Sequence, residues 1–155
     1  MIQIFRLIKV IHLLSLVSFL GSILTFIFIS TMIDDAPMSE VHAGRKFIAE
    51  GTAGLTMPAL WAMILTGLIS GYKKFGFRSR FFQIKAGAAA LLLINAYLFI
   101  IPSVNEATEI ALRSADILPV EYSAAYMKES LFGAANVILT ITTIMIAVWK
   151  NDQVQ

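Results

Sequence analysis

Long apolar stretches separated by short polar ones dominate this chain. Apolar residues run almost unbroken over 4–32, 47–72, 81–101 and 131–149. Each stretch is long enough to cross a hydrocarbon core, which needs about 20 helical residues. A spanning segment must also satisfy its own backbone hydrogen bonds, and a helix does so. The pattern predicts an all-α fold, a single-domain integral membrane four-helix bundle. The polar punctuation predicts how the spans are joined. Asp34-Asp35-Ala36-Pro37 is a turn signal, and 39–50 reads as an amphipathic lead-in to the second span. Pro102 follows the third run directly, yet 103–113 still reads as helix, so a kinked extension past the membrane is expected. Leu118-Pro119 turns the chain. Pro119 is placed as the first residue of the last helix, with Glu121 near its positive dipole end and an outer extension over 120–128. Pro58 is expected to kink the second span.

Charge distribution gives the orientation. Lys73, Lys74, Arg78 and Arg80 lie between the second and third spans, Arg6 and Lys9 precede the core of the first, and Lys150 follows the fourth. Asp34, Asp35, Glu40, Glu106, Glu109, Asp116 and Glu121 fall on the other side. By the positive-inside rule both termini are cytoplasmic, with Trp149 as an interfacial anchor. The basic loop reads as a topology determinant and not a nucleic-acid site. Arg6 and Lys9 before an apolar run mimic a signal peptide, but the run is too long and no small-x-small site follows, so an uncleaved first span is expected.

Composition agrees with the membrane reading. Of the 155 residues, 58% are apolar and 14% charged, against about a quarter charged in soluble domains. The mean hydropathy is +0.80. With no cysteine, thiol catalysis, iron–sulfur clusters and disulfides are excluded. No Ser-His-Asp set, phosphate loop or paired membrane carboxylate supports a hydrolase or a phosphotransferase.

The candidate chemistry lies in the first span. His12 is an ionisable residue inside an apolar run, and intramembrane ionisable groups default to functional hypotheses. At 1.5 Å rise per residue it lies about 12 Å inside the boundary, and Lys85 on the third span about 6 Å inside the same leaflet. Met63 on the second span falls at the depth of His12, and Met145 on the fourth is somewhat shallower. Imidazole, thioether and ammonium on separate helices make a candidate cofactor cage opening to the cytoplasm. Histidine and methionine are ordinary haem axial ligands, with Lys85 then facing a propionate. The competing reading has His12 packing beside Ser15 and Ser18, and the methionines filling apolar gaps. His42 lies across the membrane and reads as a surface residue of the outer loop, where Asp34, Asp35 and Glu40 offer no clear metal spacing. Asn95 and Asn136 share a depth and read as glue between helices. The Gly67–Gly71 pair and the Ala86-Gly87-Ala88-Ala89-Ala90 run read as close-packing surfaces, more within the bundle than between copies, with a homo-oligomer kept open.

Several of these stretches resemble one family. Lys9-Val10-Ile11-His12 resembles the first-helix motif of the HemJ-type protoporphyrinogen oxidase family. Met57-Pro58-Ala59 through Thr66-Gly67-Leu68 is similar to its second helix, Gln83-Ile84-Lys85 to its third-helix entry, and Asn136 stands at its last-helix Asn-Glu pair. CopD-like membrane proteins share the four-helix pattern. The resemblance implies a membrane protein of the bacterial inner membrane that binds haem b, with His12 as iron ligand and Lys85 as the functional partner. The implied reaction is the six-electron oxidation of protoporphyrinogen IX to protoporphyrin IX. Gly21 is not followed by the family's Leu-Pro-Arg, Val137 replaces its glutamate, and Asn95 replaces a histidine. The expectation is therefore the broader superfamily, in porphyrin oxidation or electron transfer with quinone. The alternative is a non-enzymatic haem or metal carrier, or a small subunit of a membrane complex. Met32, Met38 and His42 are a thin set for copper carriage.

Overall fold

The computed structural model describes residues 2–33 and 35–152; Asp34, and with it part of the expected first-loop turn and the side chain of Lys150, lies outside the described residues. Every regular element among the described residues is a helix. Helix α1 covers Ile2–Met32, α2 Met38–Gly51, α3 Met57–Phe75, α4 Arg80–Asn95, α5 Ile101–Arg113 and α6 Val120–Asp152. Two π-turns, Thr52–Thr56 and Ala96–Ile100, join α2 to α3 and α4 to α5 without a break. Four continuous helical arms result, each long and apolar enough to cross a membrane. The expected extensions are thus the distal ends of the arms themselves.

Both π-turns end two residues before a proline, Pro58 and Pro102, and proline explains them. Pro58 and Pro102 lack the N–H that would close the ordinary ladder, and their rings clash with the carbonyl four residues back. The ladder widens instead: Met57 N–H bonds to the Thr52 carbonyl and Ile101 N–H to the Ala96 carbonyl, five residues back in each case. Each proline expected to kink its span thus has an inserted residue just ahead of it. At the other bends local chemistry suffices. Gly76 ends α3 at φ 73°, a left-handed conformation that glycine alone adopts freely, and its N–H closes on the Tyr72 carbonyl at 2.8 Å. Lys73 and Lys74 occupy the last turn of α3, the favourable end of its dipole. Pro119 sits just before α6, and its carbonyl accepts the Tyr122 N–H at 3.0 Å.

The arms pack side by side. α1 lies mainly along α3, α3 along α4, and α4 along α6, while α1 and α6 touch over a short stretch only. A middle layer of Phe19, Ile23, Leu60, Met63, Ile64 and Leu92 closes the interior. At the end remote from the termini, α2, α5 and α6 form a second core around Val41, Ala107, Ala111, Tyr122 and Ala125, where the alanines let the backbones approach. Outward-facing Leu14, Val17, Phe28, Leu65, Leu98 and Ile138 remain exposed, a surface suited to lipid rather than water. The packing layer divides the interior into a cavity near the termini, called here the basic end, and one in the far half.

Candidate functional site

The basic-end cavity forms where all four arms converge, and His12 enters it from α1. The ring sits in the α1–α3 seam because Gly67 leaves room: a Cβ there would lie 2.9 Å from His12 Cε1. His12 Nδ1 lies 2.9 Å from the Met63 carbonyl and 3.1 Å from Thr66 Oγ1. These contacts fix the proton. A carbonyl only accepts, and the Thr66 hydroxyl already donates to the Ala62 carbonyl at 2.5 Å. Nδ1 therefore carries the hydrogen and donates. Nε2 keeps its lone pair and has no hydrogen-bond partner among the described residues. Imidazoles that bind metal are held in this way, by the nitrogen remote from the metal.

The cavity has two lobes. An apolar lobe of about 110 Å³ lies between the arms, lined by His12, Met63, Lys85, Leu92, Thr140 and Thr143 among others. A wider lobe of about 570 Å³ opens toward the basic end, and Lys9, Lys73, Lys74 and Lys85 line it with no acidic side chain among the described residues. Lys85 lies 4.7 Å from the Phe81 ring centroid and Lys73 4.5 Å from that of Phe5, so the aromatic faces hold the ammonium groups at the cavity wall. Ser70 Oγ, also on this wall, is buried without a hydrogen-bond partner among the described residues.

His12, Lys85 and Met63, singled out from sequence, thus meet at one cavity. Met63 is buried and contributes its carbonyl to His12 as well as its side chain to the lining. Met145 does not join them: it is 45% exposed on the outer face of α6. Its direction around the helix carries it away from the cavity. His42 lies on α2 and not in a loop. It is half-buried, with Nε2 3.0 Å from the Ser114 carbonyl, so it ties α2 to the chain after α5. Asn95 Nδ2 donates to Asn136 Oδ1 at 2.7 Å and to the Phe132 carbonyl at 2.8 Å, gluing α4 to α6. No group of three or more His, Asp or Glu side chains that could hold a metal ion comes together among the described residues.

One functional-looking feature escaped the sequence reading. Arg45 on α2 is fully buried and pairs with Glu129 on α6, Nη2 to Oε2 at 2.5 Å. Its guanidinium also faces the Tyr122 ring at 5.9 Å, while its Nε finds no partner among the described residues. A signal was present: Arg45 shares the buried face of α2 with Val41 and Ile48, four residues before and three after. Charge on an apolar stripe calls for an opposite charge. Comparison with protein-family models, curated proteins and solved structures finds no match to the chain.

Proposed function

We propose that the chain is a four-helix bundle of the bacterial inner membrane, with cytoplasmic termini, that binds haem b in the basic-end cavity. The observation that carries this reading is the tethered His12: its Nδ1 hydrogen is held by the Met63 carbonyl and its Nε2 lone pair is left available. Ligand cavities measure about 300–1,000 Å³, and the wider lobe, at about 570 Å³, falls within that range. An iron porphyrin brings its own equatorial nitrogens, so one imidazole meets the protein's minimum share of the ligation. His12 would hold the iron. Lys9, Lys73, Lys74 and Lys85 would meet the propionates, and Ser70 Oγ would gain an acceptor it otherwise lacks. Met63 lines the same cavity and is the second side chain of the proposed cofactor site. Haem bound there would supply one-electron redox chemistry, and the resemblance to HemJ-type proteins would direct that chemistry to porphyrin oxidation or to electron exchange with quinone. Lys85 is the residue of the active-site type in that reading, since it lines both lobes beside His12.

A second reading, a haem carrier or a subunit without catalytic activity, draws on Asn95. It stands where the enzymes' histidine is expected, and both acceptors of its amide lie within the protein. The optical spectrum of the detergent-purified protein, oxidised and dithionite-reduced, tests the shared part. A Soret band present in the wild type and lost in His12→Ala is expected. Protein that stays colourless after haem is supplied overturns the proposal, and oxidation of protoporphyrinogen IX separates enzyme from carrier.

A further inference from the structure

The far half of the interior holds a second cavity, of about 50 Å³, on the other side of the Phe19–Leu60–Leu92 layer. Both π-turns face it, through Thr52 and Thr56 of one and Ala96 and Ile100 of the other. Such turns recur at functional sites because an inserted residue re-aims side chains. Asn136 lines it, is 1% exposed, and its Nδ2 has no hydrogen-bond partner among the described residues. The amide orientation is fixed, since Asn136 Oδ1 accepts from Asn95 Nδ2. Gly133 is buried on the same wall, and a Cβ built there would meet nothing within 4 Å.

Chemistry and size narrow the occupant. An unmet N–H calls for an acceptor. An anion is disfavoured because Glu129 lines the cavity, and a cation because the Arg45 guanidinium already neutralises that carboxylate. A dry apolar cavity that takes benzene measures about 150 Å³, well above this one. Water needs about 10–15 Å³ by the same measure and two to four polar partners. The lining supplies them: the Asn136 amide, the Glu129 carboxylate, and the Ser130 and Thr52 hydroxyls.

We infer that the far cavity is an internal water site, in which water accepts from Asn136 and donates toward Glu129. Water here bridges α6 to the π-turn of the second arm, between which no direct side-chain bond forms among the described residues. The site is independent of what occupies the basic-end cavity.

Hydroxyl-radical footprinting of the full chain in detergent tests this, because radicals generated from bound water mark buried neighbours. Phe19 lines the cavity at 1% exposure, so its burial predicts no labelling from bulk solvent. The expected result is labelling of Phe19 well above that of Leu60, which is as deeply buried but does not line the cavity. Gly133→Leu, which fills the void, should reduce the labelling at least fivefold. Gly133→Ala, the milder variant, should reduce it partly with the gel-filtration profile unchanged. Unlabelled Phe19 in the wild type means a dry void or a detergent tail and overturns the inference. Labelling that persists in monodisperse Gly133→Leu protein overturns it equally.

Discussion

Removing Glu129 while leaving Arg45 in place tests the energetics of the far half. Glu129→Gln is nearly the same size but gives up the charge. Arg45 is fully buried, and besides the one acceptor oxygen that the amide keeps, its guanidinium meets the Val104 carbonyl at 3.4 Å and the Tyr122 face at 5.9 Å, neither of them charged. An uncompensated guanidinium in that position costs about 3–5 kcal/mol, the usual penalty for breaking a buried pair from one side. The double variant Arg45→Met/Glu129→Leu removes both charges at roughly constant volume and is expected to lie within about 1 kcal/mol of wild type, or to be more stable. The exposed pairs give the contrast: Lys46–Glu50, Lys128–Glu106 and Arg113–Glu109 each have both side chains at least half exposed and are worth about 0–1 kcal/mol. Reversible unfolding in mixed micelles, followed by circular dichroism across the full double-mutant cycle, gives the coupling energy. A loss below about 1 kcal/mol in Glu129→Gln, or a double variant as unstable as the single, would refute the reasoning.

Other expectations concern the site and its supports. Gly67→Ala forces the His12 ring to shift, since a Cβ there lies 2.9 Å from Cε1; haem titration should show affinity reduced about tenfold or more, as for loss of ligand orientation. Lys85→Gln should weaken haem binding while keeping the Soret position, whereas Met145→Leu, on the exposed face, should change neither in the same titration. Asn95→Leu removes two hydrogen bonds between α4 and α6 and should cost about 1–3 kcal/mol in the same unfolding assay.

Much of the architecture was legible because lipid makes a simple demand. An unbroken apolar run of sufficient length has to be a helix, and all four runs are. His12, the ionisable residue deepest in the first span, pointed to the cavity for the same reason: charge or polarity there needs a use. What the sequence hid falls into two kinds. Depth along a helix can be counted, but direction around it cannot when nearly every face is apolar, and Met145 was misplaced on that account. The other kind is long-range partnership. His12 is fixed by a backbone carbonyl 51 residues away, which no side-chain pattern records. Arg45 finds Glu129 across 84 residues, and each alone reads as an ordinary charge on an amphipathic helix. The prolines were read as kinks because proline breaks the ladder; that the ladder widens to a π-turn ahead of each, over Thr52–Thr56 and Ala96–Ile100, left no mark in the sequence.

The central claim is that His12 Nε2 is the protein's bond to haem iron. A His12→Gly variant reconstituted with haem, with and without free imidazole, tests that bond most directly. Gly at position 12 leaves a space for imidazole beside Met63 and Thr66, with the same carbonyl to receive its N–H. The account predicts that the variant loses the wild-type haem spectrum and that millimolar imidazole restores it, with no such effect on Lys85→Gln. A variant that keeps the wild-type spectrum without imidazole would contradict it, because the iron would then be held elsewhere.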